Sequence, residues 1–173
     1  MQMRNLVWLL AAGVVLGAPT PGLSQTPPQI LLCISDQGFG GDENFGTFED
    51  CSLVTAVSFG AGRALHQSGR TSSAACEPMV VTKAVDRASG RLSKRAMNGR
   101  PIDAMQIISM FDAELLEPGY VLSLEGVEVL RVTQALDHDE LAVEDVTFLP
   151  ESVELTVDGR NYTWRCSRFA TEG

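Results

Sequence analysis

MVVTKAVDRASGRLSKRAMNGRPIDAMQI, residues 79 to 107, decides the fold. Met79, Val81 and Val85 mark a short β-rich run, and Val85, Ala88, Leu92 and Ala96 then fall three or four apart. That change of period predicts a strand over MVVTKAV and one amphipathic helix over DRASGRLSKRAM. Asp86 is placed to cap the helix start, Lys94 and Arg95 suit its C-terminal dipole, and Asn98-Gly99 supplies a left-handed stop. Gly90 costs about 1 kcal/mol inside a helix, so packing of the apolar stripe has to hold it. Pro101 then favours extended backbone before it, and IDAMQIISMF, residues 102 to 111, reads as the next strand.

With these residues read, a resemblance emerges. VTKAVDRASGRLSKRAMNGRPIDAMQI is similar to the threonine-lysine, aspartate, helix, glycine and strand segment of the haemolysin-coregulated protein family, Hcp, the inner-tube subunit of the type VI secretion system. ILLCISDQGFGG resembles that family's first strand and glycine loop, FEDCSLVTAVSFGAG its second strand, and VEDVTFLPESVELTV its late hairpin, so the likeness spans most of residues 30 to 165. The resemblance implies a mainly β fold: an antiparallel β-barrel of about eight strands with one flanking α-helix. It also implies self-association into hexameric rings that stack into a tube and carry secreted effector cargo.

The 173 residues fit one domain, and an apolar content of 45% permits a sizeable core. Thirteen basic against 22 acidic residues give a formal charge of −9, so a nucleic-acid footprint is not expected, and the plain reading of the acid excess is a solvated surface. At the amino end Arg4 precedes a mostly apolar run from Leu6 to Gly17, too short to span a bilayer, followed by Gly22-Leu23-Ser24. Residues 1–24 therefore read as a signal peptide cleaved after Ser24, with an uncleaved anchor as the competing reading. Residues 25–29, QTPPQ, form a proline-bearing leader, and the domain occupies 30–173. Stable membrane insertion is not expected, and the location implied is periplasmic or secreted. A cleaved signal and four cysteines both depart from the ordinary Hcp pattern.

Cys33, Cys51, Cys76 and Cys166 all follow that segment, and an even number in an exported chain suggests disulfides. Three pairings are possible. If residues 30 to 35 and 51 to 59 are antiparallel neighbours around a loop near Asp42, Cys33 meets Cys51 and Cys76 is left for Cys166. A metal site is the rival use of cysteine, but no C-x-x-C occurs and His66 and His138 have no helpful spacing.

Elsewhere the chemistry-bearing patterns are thin. GFGGDENFG is followed by a strand rather than a helix start, which a phosphate cradle would need, and its acids lack calcium-loop spacing. In SLVTAVSF the alternation predicts a strand whose apolar face carries Leu53, Thr55, Val57 and Phe59. GAGRALHQSGRTSSAA is a long polar loop, longer than most hairpin connections, with His66 in it as a solvated side chain. YVLSLEGVEVLRVTQAL is one long strand or a strand broken at Gly126. In DHDELAVED, Asp137, Asp139, Glu140, Glu144 and Asp145 read as an acidic run facing water, because paired-carboxylate catalysis needs two groups in different environments. Asp158-Gly159 signals a hairpin, and Asn161-Tyr162-Thr163 matches a glycosylation acceptor that would be idle in a bacterium.

No catalytic residue, cofactor or metal is assigned, and the chain is not read as an enzyme. The leading expectation is a ring-forming structural and transport subunit of the tube type, in exported form. A monomeric periplasmic or extracellular binding module on the same barrel is the alternative, and a secreted enzyme with an unrecognised site is a third.

Overall fold

A computed structural model describes residues 29–36, 39–45, 47–62, 75–112, 117–135 and 142–166. Alternation in the central stretch makes a strand of Met79–Ala84 (β6), and Ser89–Asn98 follows as the helix (α1). Before them come β1 (Gln29–Ile34), β2 (Glu43–Phe45), β3 (Phe48–Ser58), β4 (Ala61–Gly62) and β5 (Ala75–Cys76). After them come β7 (Ile102–Asp112), β8 (Glu117–Ala135), β9 (Val143–Leu149), β10 (Ser152–Val157) and β11 (Arg160–Arg165).

The strands pair antiparallel in the order β8, β7, β1, β3, β6, β9, and β9 returns to β8. Six strands therefore close the barrel, while β10, β11 and β2 lie outside it. The expected antiparallel barrel of about eight strands with a flanking helix is thus met by a nine-stranded sheet, six of whose strands close on themselves. β8 runs unbroken for 19 residues, so the reading of a break at Gly126 does not hold. Along a single edge of β8, Glu125 pairs with Ser152 of β10 and Glu128 with Leu149 of β9. The change from one partner to the next falls at Gly126, whose φ is +58°, a left-handed value that favours glycine. A Cβ there would sit 2.8 Å from the Glu151 carboxylate.

Leu32, Val81, Ile107, Leu122 and Phe148 belong to the main core, all at most 2% exposed. Each such side chain contributes roughly 1.5–3 kcal/mol on burial. A second cluster of Leu31, Cys51, Ile108 and Met110 occupies alternate positions on β1 and β7, hence the opposite face of those strands.

β3 corrects the face expected of it. Val54 is buried, whereas Leu53 and Phe59 are exposed at 39% and 44%. A register shift between Val54 and Ala56 breaks strict alternation, so Val54 and Val57 both pack on the main core although their positions differ in parity. The helix keeps Ala88 and Leu92 fully buried and Ala96 partly so, packed on β8's side of the barrel. Val85 is not part of that stripe. It precedes the helix and is 39% exposed.

The helix end forms as its local chemistry dictates, whereas the start falls at Ser89, with Ala88 rather than Asp86 in the cap position. Asp86 Oδ1 accepts the Ala88 N–H at 2.9 Å, and the Asp86 N–H donates to Ser89 Oγ at 2.9 Å, a reciprocal cap one turn before the regular helix. Gly99 closes it with φ +65° and an N–H to the Arg95 carbonyl at 2.9 Å. Asp158 and Gly159, at φ +49° and +71°, make the tight turn between β10 and β11.

Two disulfides staple the sheet. Cys33 on β1 joins Cys51 on β3 with Cα atoms 4.4 Å apart, directly across the register that sets Leu32 opposite Ser52. Cys76 joins Cys166, 90 residues away, tying the end of β11 to β5.

Candidate functional site

The period-two face of β6 that buries Met79 and Val81 also buries Lys83, whose side chain is 0% exposed. An ammonium removed from water needs its protons satisfied. Lys83 Nζ meets Asp86 Oδ1 at 2.7 Å, Glu144 Oε1 at 2.9 Å and the Ala84 carbonyl at 3.0 Å. Glu144, likewise 0% exposed in its side chain, accepts further hydrogen bonds from Ser89 Oγ at 2.8 Å and Gln134 Nε2 at 3.0 Å. One lysine thus joins β6, the helix root and β9. The reading of Glu144 as a water-facing acid is corrected: it alternates with the exposed Asp145, which accepts from Thr82 Oγ1 at 2.6 Å. Sequence reasoning missed Lys83 as a buried group, though its parity with Met79 and Val81 was the available signal. With Lys83 and Glu144 buried and Asp86 and Gln134 reaching the surface at its edges, the cluster fixes the helix to the barrel.

Two arginines fasten the glycine loop along the helix. Near its start, Arg87 bonds Asp42 and the Gly41 carbonyl and lies 3.3 Å from Asp50. The hydrogen bond to Asp42 holds its guanidinium still more firmly protonated, against a smaller opposing effect of desolvation and with help from the Asp42 and Asp50 charges. Gly41 is required by close approach: a Cβ would lie 2.2 Å from the Cys51 carbonyl oxygen. Near the helix end, Arg95 reaches Asp36 at 2.9 Å and the Pro101 carbonyl at 3.0 Å, and stands 5.2 Å over the Phe39 ring. Arg91, Lys94, Arg95, Asn98 and Arg100 with Phe39 surround an open hollow of about 480 Å³ there. Burial pushes the Tyr120 phenol above its ordinary range.

His66, His138, Asp137, Asp139 and Glu140 lie outside the described residues, as does most of the polar loop between β4 and β5. Among the described residues no three His, Cys, Asp or Glu side chains are grouped to hold a metal, and no helix is long and apolar enough to cross a membrane. Asn161 sits exposed on β11.

Among the described residues the architecture is a closed antiparallel barrel with helix α1 pinned to it by a buried lysine. The family model described as type VI secretion system effector, Hcp, matches residues 34–156, and the chain belongs to that family. Among solved structures it is similar to Hcp1 from Salmonella typhimurium, at 18% identity and a TM-score of 0.67, over 80% of this chain and 93% of that one. It also matches a type VI secretion system effector from Yersinia pestis, at 14% identity and a TM-score of 0.65, over 79% of this chain and 98% of that one. The secreted protein Hcp3 from Pseudomonas aeruginosa matches at 18% identity and a TM-score of 0.56, over 82% and 99%. No curated protein matches the sequence.

Proposed function

We propose that this protein is an exported, ring-forming structural subunit of the type VI secretion tube class, without catalytic activity of its own. Barrels join head to tail around a ring of six, and the rings stack to carry secreted effector cargo. The observation that carries the reading is the closed barrel with helix α1 packed on it, a fold similar to that of the Hcp structures above. Support for self-association comes from β11, which ends the described sheet with one edge unpaired, since assembly covers an edge that would otherwise pair at random. Support for export comes from residues 1–24 and from the two disulfides, which persist in oxidising compartments. Electron microscopy of the processed, oxidised protein tests the proposal: rings with a central hole are expected. A field of single particles the size of one barrel would favour the monomeric binding module instead.

A further inference from the structure

Copies of so acidic a chain repel one another where like surfaces meet, and a contact is favoured where opposite charges are brought together. The cations are not spread evenly. Five of the 13 Lys and Arg lie between Arg87 and Arg100, with no acid among them. Arg87 is engaged at the helix start by Asp42 and Asp50. The other four line the hollow that runs along the helix from Arg91 to Arg100, where Asp36 is paired with Arg95.

At the opposite end of the same helix the β2–β3 hairpin carries the reverse charge. Glu43 and Glu49 flank it beside Asp42 and Asp50, and Arg87 is the cation that bridges the two aspartates. Glu49 is exposed, and the Asp42 and Asp50 side chains are exposed at 52% and 66%. A ten-residue helix is about 15 Å long, which exceeds the screening length of about 8 Å at physiological salt. The hairpin beside Arg87 and the Lys94-to-Arg100 part of the hollow, farther along the helix than that length, therefore act as separate charges of opposite sign.

We infer that the basic hollow at the end of α1, around Lys94 and Arg100, docks onto the acidic β2–β3 hairpin, around Glu43 and Glu49, of a second copy of this chain. The inference rests on the ring reading and specifies its contact. Because the two surfaces differ, the contact is heterologous and repeats from copy to copy, as ring closure demands. Guanidinium forks facing carboxylates also set the orientation of the contact as well as its sign.

The test is a charge exchange followed by sedimentation velocity near 0.15 M salt. Lys94→Glu with Arg100→Glu makes both surfaces acidic, and Glu43→Lys with Glu49→Lys makes both basic. Each double variant alone is expected to assemble at least tenfold more weakly than the parent. An equimolar mixture is expected to recover assembly, with the two variants alternating around an even-numbered ring, and recovery also shows that both are folded. If the parent assembles and each variant assembles equally well alone, the surface assignment is overturned while the ring reading stands. Variants that weaken assembly but do not recover on mixing would overturn the pairing of these two surfaces. A monomeric parent would remove both the assignment and the ring.

Discussion

Lys83 Nζ lies 2.9 Å from Glu144 Oε1 with neither side chain exposed to solvent. Such a pair contributes little net stability compared with well-packed apolar side chains, but removing one partner strands the other charge. Lys83→Met or Glu144→Leu is expected to cost about 3–5 kcal/mol. Lys83→Met combined with Glu144→Leu should recover much of that loss. Urea denaturation of the two single variants and the pair measures the coupling. Additive losses would show that the two side chains act independently.

The disulfides should differ in what their loss costs. Closing a loop restricts the unfolded chain more as the loop lengthens, and the separations here are 18 and 90 residues. Chain entropy alone gives about 3 kcal/mol for Cys33–Cys51 and about 4.5 kcal/mol for Cys76–Cys166. Non-reducing peptide mapping checks the pairing, and denaturation of the two Cys→Ala pairs checks the order. Four free thiols in exported protein would contradict both.

Two glycines should respond in opposite directions to alanine. At Gly41 the new Cβ would overlap the Cys51 backbone, so Gly41→Ala should destabilise by more than about 2 kcal/mol. Gly90, in the helix, has nothing within 4 Å of that position, so Gly90→Ala should stabilise by about 0.5–1 kcal/mol. Thermal unfolding of both variants decides it.

These glycines also mark how far the sequence could be read. Local chemistry was legible: Gly99 and Asp158-Gly159 end the helix and make the turn where expected, while Asp86 orders the turn just before a helix that starts at Ser89. The Cys33–Cys51 pairing followed once two strands were set as neighbours. Long-range facts were not legible. The inward face of β3 was misjudged because one bulge breaks its parity, and barrel closure by six strands depends on β8 changing partners at Gly126. Glu144 looked solvated because the partners that enclose it, such as Ser89 55 residues away, come from other elements. The charge separation along α1 needed the glycine loop laid beside the helix, from Asp36 at one end to Asp42 at the other.

Export makes a separate prediction about the amino end. Arg4, the apolar run to Gly17 and the small residues before Gln25 place cleavage after Ser24. Intact mass of protein recovered from the periplasm or medium of an exporting host should correspond to a chain beginning at or next to Gln25. Soluble protein retaining Met1 to Ser24 would instead support a cytoplasmic subunit.

Assembly separates the tube subunit from the solitary binding module most directly. The measurement is multi-angle light scattering on the processed, oxidised chain near 0.15 M salt, where charge repulsion is screened within about 8 Å. The account predicts a closed oligomer of six times the chain mass, persisting on dilution from about millimolar protein, the range in which weak contacts are lost. A single chain mass across that whole range would contradict it.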